Sequence, residues 1–213
     1  MSTTVLPATS RSILSLRLLG LLGMLCAPGL LIEASIRRLP SIAENRSTTL
    51  TSLLGLIYII GWIAGMLGFR RMRATGDGLL ARIVFSIQIP GLSLAGCQQL
   101  MELSGSRALL ESPFFGICDA AWPLSHLFML FVGGMVLGSA RIHGAARFAP
   151  LGCGLALPLS AALSTLNHLA FVFGFGVVTT ICFCTIGVTV FRAGQPEGRA
   201  KGVCKDPETL KDS

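Results

Sequence analysis

The stretch FAPLGCGLALPLSAALSTLNHLAFVFGFGVVTTICFCTIGVTVF, residues 148–191, decides the fold class of this chain. Its 44 residues carry no formal charge. A single helix of this length would extend about 66 Å at 1.5 Å per residue, twice the hydrocarbon core of a bilayer. The stretch must therefore fold back, and the polar residues 164–168 (Ser-Thr-Leu-Asn-His) are the predicted turn. The sequence predicts two membrane-spanning helices here, at about 148–166 and 169–191.

The composition of the whole chain agrees with a membrane protein. Of its 213 residues, 52% are hydrophobic and 13% are charged, and the mean hydropathy is +0.73. An ordinary soluble domain carries about 25% charged residues. Because this chain cannot cover a globular surface with charge, lipid must solvate most of it.

Four further apolar segments precede residues 148–191. These predicted spans lie at about 12–33, 47–69, 83–101 and 117–140. The first is expected to be a retained span and not a cleaved signal peptide, because more apolar segments follow it. We expect an all-α, polytopic transmembrane bundle of six spans in residues 1–191. A polar tail, 192–213, is predicted to be disordered.

Two local patterns predict details of the first two spans. Pro28 has no backbone N–H to donate to the carbonyl of Met24, so it should bend the first span. Gly61-x-x-x-Gly65 in the second span is typical of close helix approach in any membrane bundle. Both patterns concern packing and indicate no function.

The basic residues predict the orientation. If the N-terminus is cytoplasmic, 13 of the 17 Lys and Arg residues lie on the cytoplasmic side. The four that lie outside are Arg37, Arg38, Arg46 and Arg107. The positive-inside rule therefore predicts that both termini are cytoplasmic. The net charge of +7 is explained in the same way, and without a basic patch interleaved with aromatic residues we predict no nucleic-acid partner.

The seven cysteines do not form a recognisable framework. Most fall inside apolar runs, and their spacing matches neither a disulfide pattern nor a metal site. We interpret them as small apolar side chains. The sequence therefore predicts no metal and no cofactor.

Polar side chains inside the third and fourth spans are the candidate functional residues, because such groups are costly in a membrane. Asp119 and His126 are seven residues apart, which returns to nearly the same face of a helix, and Trp122 shares that face. On the third span, Gln99 and Glu102 lie together on one face.

The predicted topology places these residues in the outer half of the bundle. The third span runs outward and the fourth begins outside, so Gln99, Glu102 and Asp119 lie near the outer ends of their helices. His126 should lie about 10 Å deeper than Asp119. Three further polar residues are expected at the same level, namely Glu33, Asn167 and His168. We predict an outward-facing ligand pocket lined by Gln99, Glu102, Asp119, Trp122 and His126.

Each candidate also has a structural interpretation. Glu33, Glu102 and His168 could be interfacial caps. Asp119 could be an N-terminal residue of a helix that begins after it, where the helix dipole favours a carboxylate. His126 could be a structural histidine, bonded to Gln99 or Ser125.

Four classes of function compete for this sequence. A bundle that binds or transports a small molecule or lipid fits the polar face, although six spans without a repeat make a small transporter unless it forms a homo-oligomer. A haem protein would need His126 and His168 to pair across different depths. An enzyme is disfavoured because the chain has no H-E-x-x-H or G-x-S-x-G motif. A structural or partner-binding membrane protein without a ligand site is the remaining alternative.

We favour the first class, a non-enzymatic bundle whose partners are the lipid bilayer and a small molecule or lipid. The arginine-rich, lysine-poor composition is compatible with a GC-rich bacterium. At the level of class, the chain is similar to small polytopic proteins of bacterial inner membranes. The predicted location is therefore the inner (plasma) membrane, as a multi-pass protein.

Overall fold

The computed structural model of the chain describes residues 10–36, 49–165 and 168–195, and side-chain environments from residue 15 to 36, 49 to 165 and 174 to 195. These residues form helices, turns and short loops, with no β-strand among them. The helices are α1 (Ser10–Cys26), α2 (Gly29–Ile36), α3 (Thr49–Arg71), α4 (Leu79–Ser104), α5 (Arg107–Leu110), α6 (Pro113–Ser139), α7 (Ala149–Ser164) and α8 (His168–Ala193), with a 3-10 helix at Gly144–Phe148 before α7.

Six segments of the described chain are long and apolar enough to cross a membrane. They are Ser15–Ile36, Thr49–Arg71, Leu79–Ser104, Pro113–Ser139, Gly144–Ser164 and Gly174–Ala193. The predicted all-helical fold with six such helices is confirmed at this level. The fold-back in the long uncharged stretch is also found, because α7 ends at Ser164 and α8 begins at His168. α8 extends to Ala193, into the predicted tail, and residues from 196 onward lie outside the described ranges.

The first span breaks at Pro28, where α1 ends and α2 begins. The freed carbonyl of Met24 lies 3.7 Å from the thiol of Cys184, which donates to it. The hydroxyl of Thr180 donates to the carbonyl of Ala27 at 3.4 Å. Side chains of α8 therefore donate to two backbone oxygens at this break, and that of Met24 is the oxygen that Pro28 leaves without a helical partner.

The spans pack as a ring in chain order. The first span contacts α3 and α8, and between them α3, α4, α6, α7 and α8 each contact the next. Glycines let these helices approach closely. A Cβ on Gly61 would lie 2.4 Å from the Cβ of Cys26 in α1, and one on Gly65 would lie 3.1 Å from Ile186 in α8. The predicted Gly61-x-x-x-Gly65 face of α3 therefore packs against α1 and α8, the first and the last helices of the ring.

The start of α6 corrects one interpretation of Asp119. The helix begins at Pro113, earlier than the predicted 117, because the hydroxyl of Ser112 accepts the N–H of Phe115 at 3.2 Å and Pro113 fits the first turn. Asp119 therefore lies in the second turn of α6. The alternative in which the helix begins after Asp119 is wrong, and Pro123 lies in the helix interior.

Candidate ligand-binding site

A cavity of about 190 Å³ lies between α2, α3, α4 and α6. Its lining residues are Leu30, Glu33, Gly55, Tyr58, Ile59, Gln98, Gln99, Asp119 and Trp122. Three of the five predicted site residues, Gln99, Asp119 and Trp122, lie in this wall. Glu102 and His126 do not line the cavity, but each contacts residues that do.

Glu102 lies outside the cavity wall and fixes the side-chain amides of Gln98 and Gln99 through hydrogen bonds. Its carboxylate accepts hydrogen bonds from Ser52 Oγ at 2.8 Å and from Gln98 Nε2 at 2.6 Å. The Oε1 of Gln98 in turn accepts from Gln99 Nε2 at 2.7 Å. Gly55 leaves room for this arrangement, because a Cβ there would lie 2.6 Å from Gln99 Oε1. The chain of bonds fixes which way both amides face.

Asp119 contributes a carboxylate to the opposite wall. Its side chain is exposed, and within the described residues it makes no hydrogen bond or ion pair. Glu33 brings a second carboxylate to the same cavity, and none of the residues that line it is basic. The cavity therefore holds two carboxylates beside the aromatic rings of Trp122 and Tyr58.

His126 lies beneath this cavity and is fully buried, with 0% of its surface exposed. Its Nδ1 is 3.2 Å from the carbonyl oxygen of Trp122, and its Nε2 is 3.1 Å from the hydroxyl of Tyr58. Because a carbonyl only accepts, these partners assign the proton to Nδ1 and make Tyr58 the donor to Nε2. Both nitrogens thus bind groups that belong to cavity-lining residues.

Aromatic rings surround the rest of the imidazole. The ring centroids of Trp62, Trp122 and Phe175 lie 4.3, 4.6 and 5.0 Å from that of His126. Gln99 and Ser125 are not its hydrogen-bond partners in this arrangement, so the structural interpretation of His126 named the wrong partners. His126 is bonded instead to the hydroxyl of Tyr58 and to the backbone carbonyl of Trp122.

Two polar residues of the cavity wall, Tyr58 and Gln98, are not among the candidates from sequence. Tyr58 is the only tyrosine of the chain, and a single hydroxylated ring within an apolar span is a signal that could have identified it. Gln98 lies next to Gln99 in sequence, but helical periodicity assigns it to a different face. Asn167 lies outside the described residues, and so does the side chain of His168.

Within the described ranges, no cluster of three or more His, Cys, Asp or Glu side chains could hold a metal ion. Comparisons of the chain with protein-family models, with curated proteins and with solved structures gave no match.

Proposed function

We propose that this protein is a non-enzymatic membrane bundle that binds or moves a small ligand in the cavity between α2, α3, α4 and α6. The observation that carries the proposal is that Gln99, Asp119 and Trp122, from two different helices, line one cavity. Polar groups within membrane spans are energetically costly. Those that are present therefore often mark a binding site or a pathway.

The chemistry of the wall favours a small organic cation. Asp119, which has no partner among the described residues, supplies a carboxylate for a cation, and the amides of Gln98 and Gln99 supply hydrogen-bonding groups. Trp122 and Tyr58 present aromatic rings, whose faces attract ammonium groups. The volume of about 190 Å³ is below the roughly 300–1,000 Å³ of sites for drug-sized molecules. The ligand we propose is therefore a compact amine or quaternary ammonium ion.

In the membrane, we propose that both termini lie in the cytoplasm and that the chain resides in a bacterial inner membrane. The excess of basic residues at one end supports this orientation. The cavity lies near the C-terminal end of α4 and the N-terminal end of α6, away from the arginine-rich loops. The site would then open toward the outer face.

Binding to the purified protein in detergent tests the proposal. Tetramethylammonium and ethylammonium should bind saturably and raise the melting temperature, whereas acetate should not. Asp119→Asn should weaken ammonium binding about tenfold or more, since it removes a charge that directly faces the ligand. Glu111→Gln is the matched control, because Glu111 is an exposed carboxylate paired with Arg107 and lies outside the cavity.

Two results would contradict the proposal. One is that no ammonium compound binds, and the other is that Asp119→Asn binds ammonium as well as the wild type does. Either would favour the alternative, a structural or partner-binding membrane protein without a ligand site. If binding is found, uptake of labelled ethylammonium into proteoliposomes separates transport from binding alone.

A further inference from the structure

A second cavity, of about 320 Å³, lies at the opposite end of the bundle. It lies where the loop of residues 72–78 connects α3 to α4. Arg70 lines it from the end of α3, Arg73 and Thr75 from the loop, and Arg82 from the first turn of α4. Three guanidinium groups thus surround one space.

The single acid of this cavity is already neutralised. Asp77 accepts a hydrogen bond from Arg141 and lies 3.1 Å from the Nη1 of Arg73. The bond from Arg141 and the two positive charges lower the pKa of Asp77 below its ordinary value, so it stays ionised at neutral pH. Within the described part of the chain, Arg70 and Arg82 form no ion pair. The cavity therefore keeps uncompensated positive charge.

Thr75 gives this cavity a polar group without a partner. The residue is only 5% exposed, and its hydroxyl has no hydrogen-bond partner among the described residues. Buried hydroxyl groups are nearly always hydrogen-bonded, because an unsatisfied one costs about 1–3 kcal/mol. A ligand oxygen in the cavity would satisfy it.

The N-terminus of α4 adds to the positive potential. Gly78 precedes the helix and supplies no side-chain cap. The first helical hydrogen bond runs from the N–H of Arg82 to the carbonyl of Gly78, so the N–H groups of residues 79–81 have no acceptor within the helix. Such a terminus favours anions, and Ala81 and Arg82 in this turn both line the cavity.

We propose that the cavity of Arg70, Arg73, Thr75 and Arg82 binds a phosphate group, supplied either by a phospholipid headgroup or by a free phosphate ion. Guanidinium groups match phosphate oxygens through paired hydrogen bonds. This site shares no lining residue with the cavity of Asp119 and Trp122, called the outer cavity below after its proposed orientation, so neither proposal depends on the other.

Titration of the delipidated, detergent-solubilised protein tests this site with two probes. One is inorganic phosphate, measured against chloride at equal ionic strength, and the other is phosphatidylglycerol, measured against an uncharged diacylglycerol by native mass spectrometry. Saturable binding of phosphate identifies the free ion as a ligand. Binding of the phospholipid alone identifies the headgroup.

Variants of exposed arginines locate the site without disturbing the core. Arg70→Gln combined with Arg82→Gln should weaken binding of the phosphate probe about tenfold or more, because two charged donors are lost. Thr75→Val should weaken it by a smaller factor. Arg147→Gln is the control, since Arg147 is exposed in the 3-10 helix before α7 and lies outside the cavity.

The ligand-free melting temperature of each variant checks that it is folded. If neither probe binds the wild type, the proposal is wrong. It is also wrong if the double variant and Arg147→Gln lose affinity equally, since that would indicate a general charge effect.

Discussion

His126 contacts two residues of the cavity between α2, α3, α4 and α6 without lining that cavity itself. Its Nε2 fixes the hydroxyl of Tyr58, and its Nδ1 fixes the carbonyl of Trp122. Both of those residues line the cavity, whereas the imidazole is fully enclosed. A change at His126 should therefore alter both stability and ligand binding, although no ligand touches it.

We expect His126→Leu to lower stability by about 1 kcal/mol, because it removes the buried hydrogen bond between the hydroxyl of Tyr58 and Nε2. Reversible unfolding in detergent measures this loss. The double variant with Tyr58→Phe should be less destabilised than the sum of the two single variants, since each single variant already loses the same hydrogen bond. Strict additivity would show that the bond contributes nothing.

At the scale of the helix, two adjacent glycines of α6 have opposite surroundings. A Cβ on Gly133 would lie 2.6 Å from the backbone nitrogen of Leu151 in α7, whereas one on Gly134 would meet nothing within 4 Å. Gly133→Ala must separate α6 from α7, and it should cost about 1–3 kcal/mol. Gly134→Ala should be neutral or slightly stabilising, because alanine is the better helix former.

Thermal unfolding of the two alanine variants in the same detergent measures the contrast. Both substitutions add one methyl group at the same depth of the same helix, so each controls for the other. Equal melting temperatures would mean that α6 and α7 do not pack as described.

The elements of this fold were predictable from sequence where the signal is local. Six apolar runs, Pro28 and the polar residues near 164–168 identified the spans, the break in the first one and the fold-back. α6 begins at Pro113, before the predicted 117, because Ser112 caps the helix ahead of the main apolar run. Such signals depend only on neighbours in the chain.

The cavity was predictable only in part, because it depends on how helices face one another. Periodicity placed Gln99 on one face of α4 and Asp119 and Trp122 on one face of α6, and these three residues lie together. It could not show that α3 lies beside α4 and turns Tyr58 toward α6. Periodicity also predicts His126 as a residue of the cavity wall, whereas the structure buries it against the rings of Tyr58 and Trp122.

At the scale of the whole molecule, the asymmetry of charge predicts which end of the bundle faces the cytoplasm. Arg70, Arg73 and Arg82 lie at the same end as Arg141, which bridges the loop of residues 72–78 to the end of α6. If all six spans cross, both termini lie at this end as well. The predicted orientation therefore places Cys204 in the cytoplasm.

A membrane-impermeant maleimide should label Cys204 only after permeabilisation of cells that express the protein, and Cys204→Ser should abolish that signal. Ser106→Cys, made in the Cys204→Ser background, places a thiol in the loop between α4 and α6 and should be labelled in intact cells. The reverse pattern would invert the topology, because the positive-inside rule acts on the short loops of the whole chain together. The outer cavity would then open to the cytoplasm, and the arginine-lined cavity would meet the headgroups of the outer leaflet.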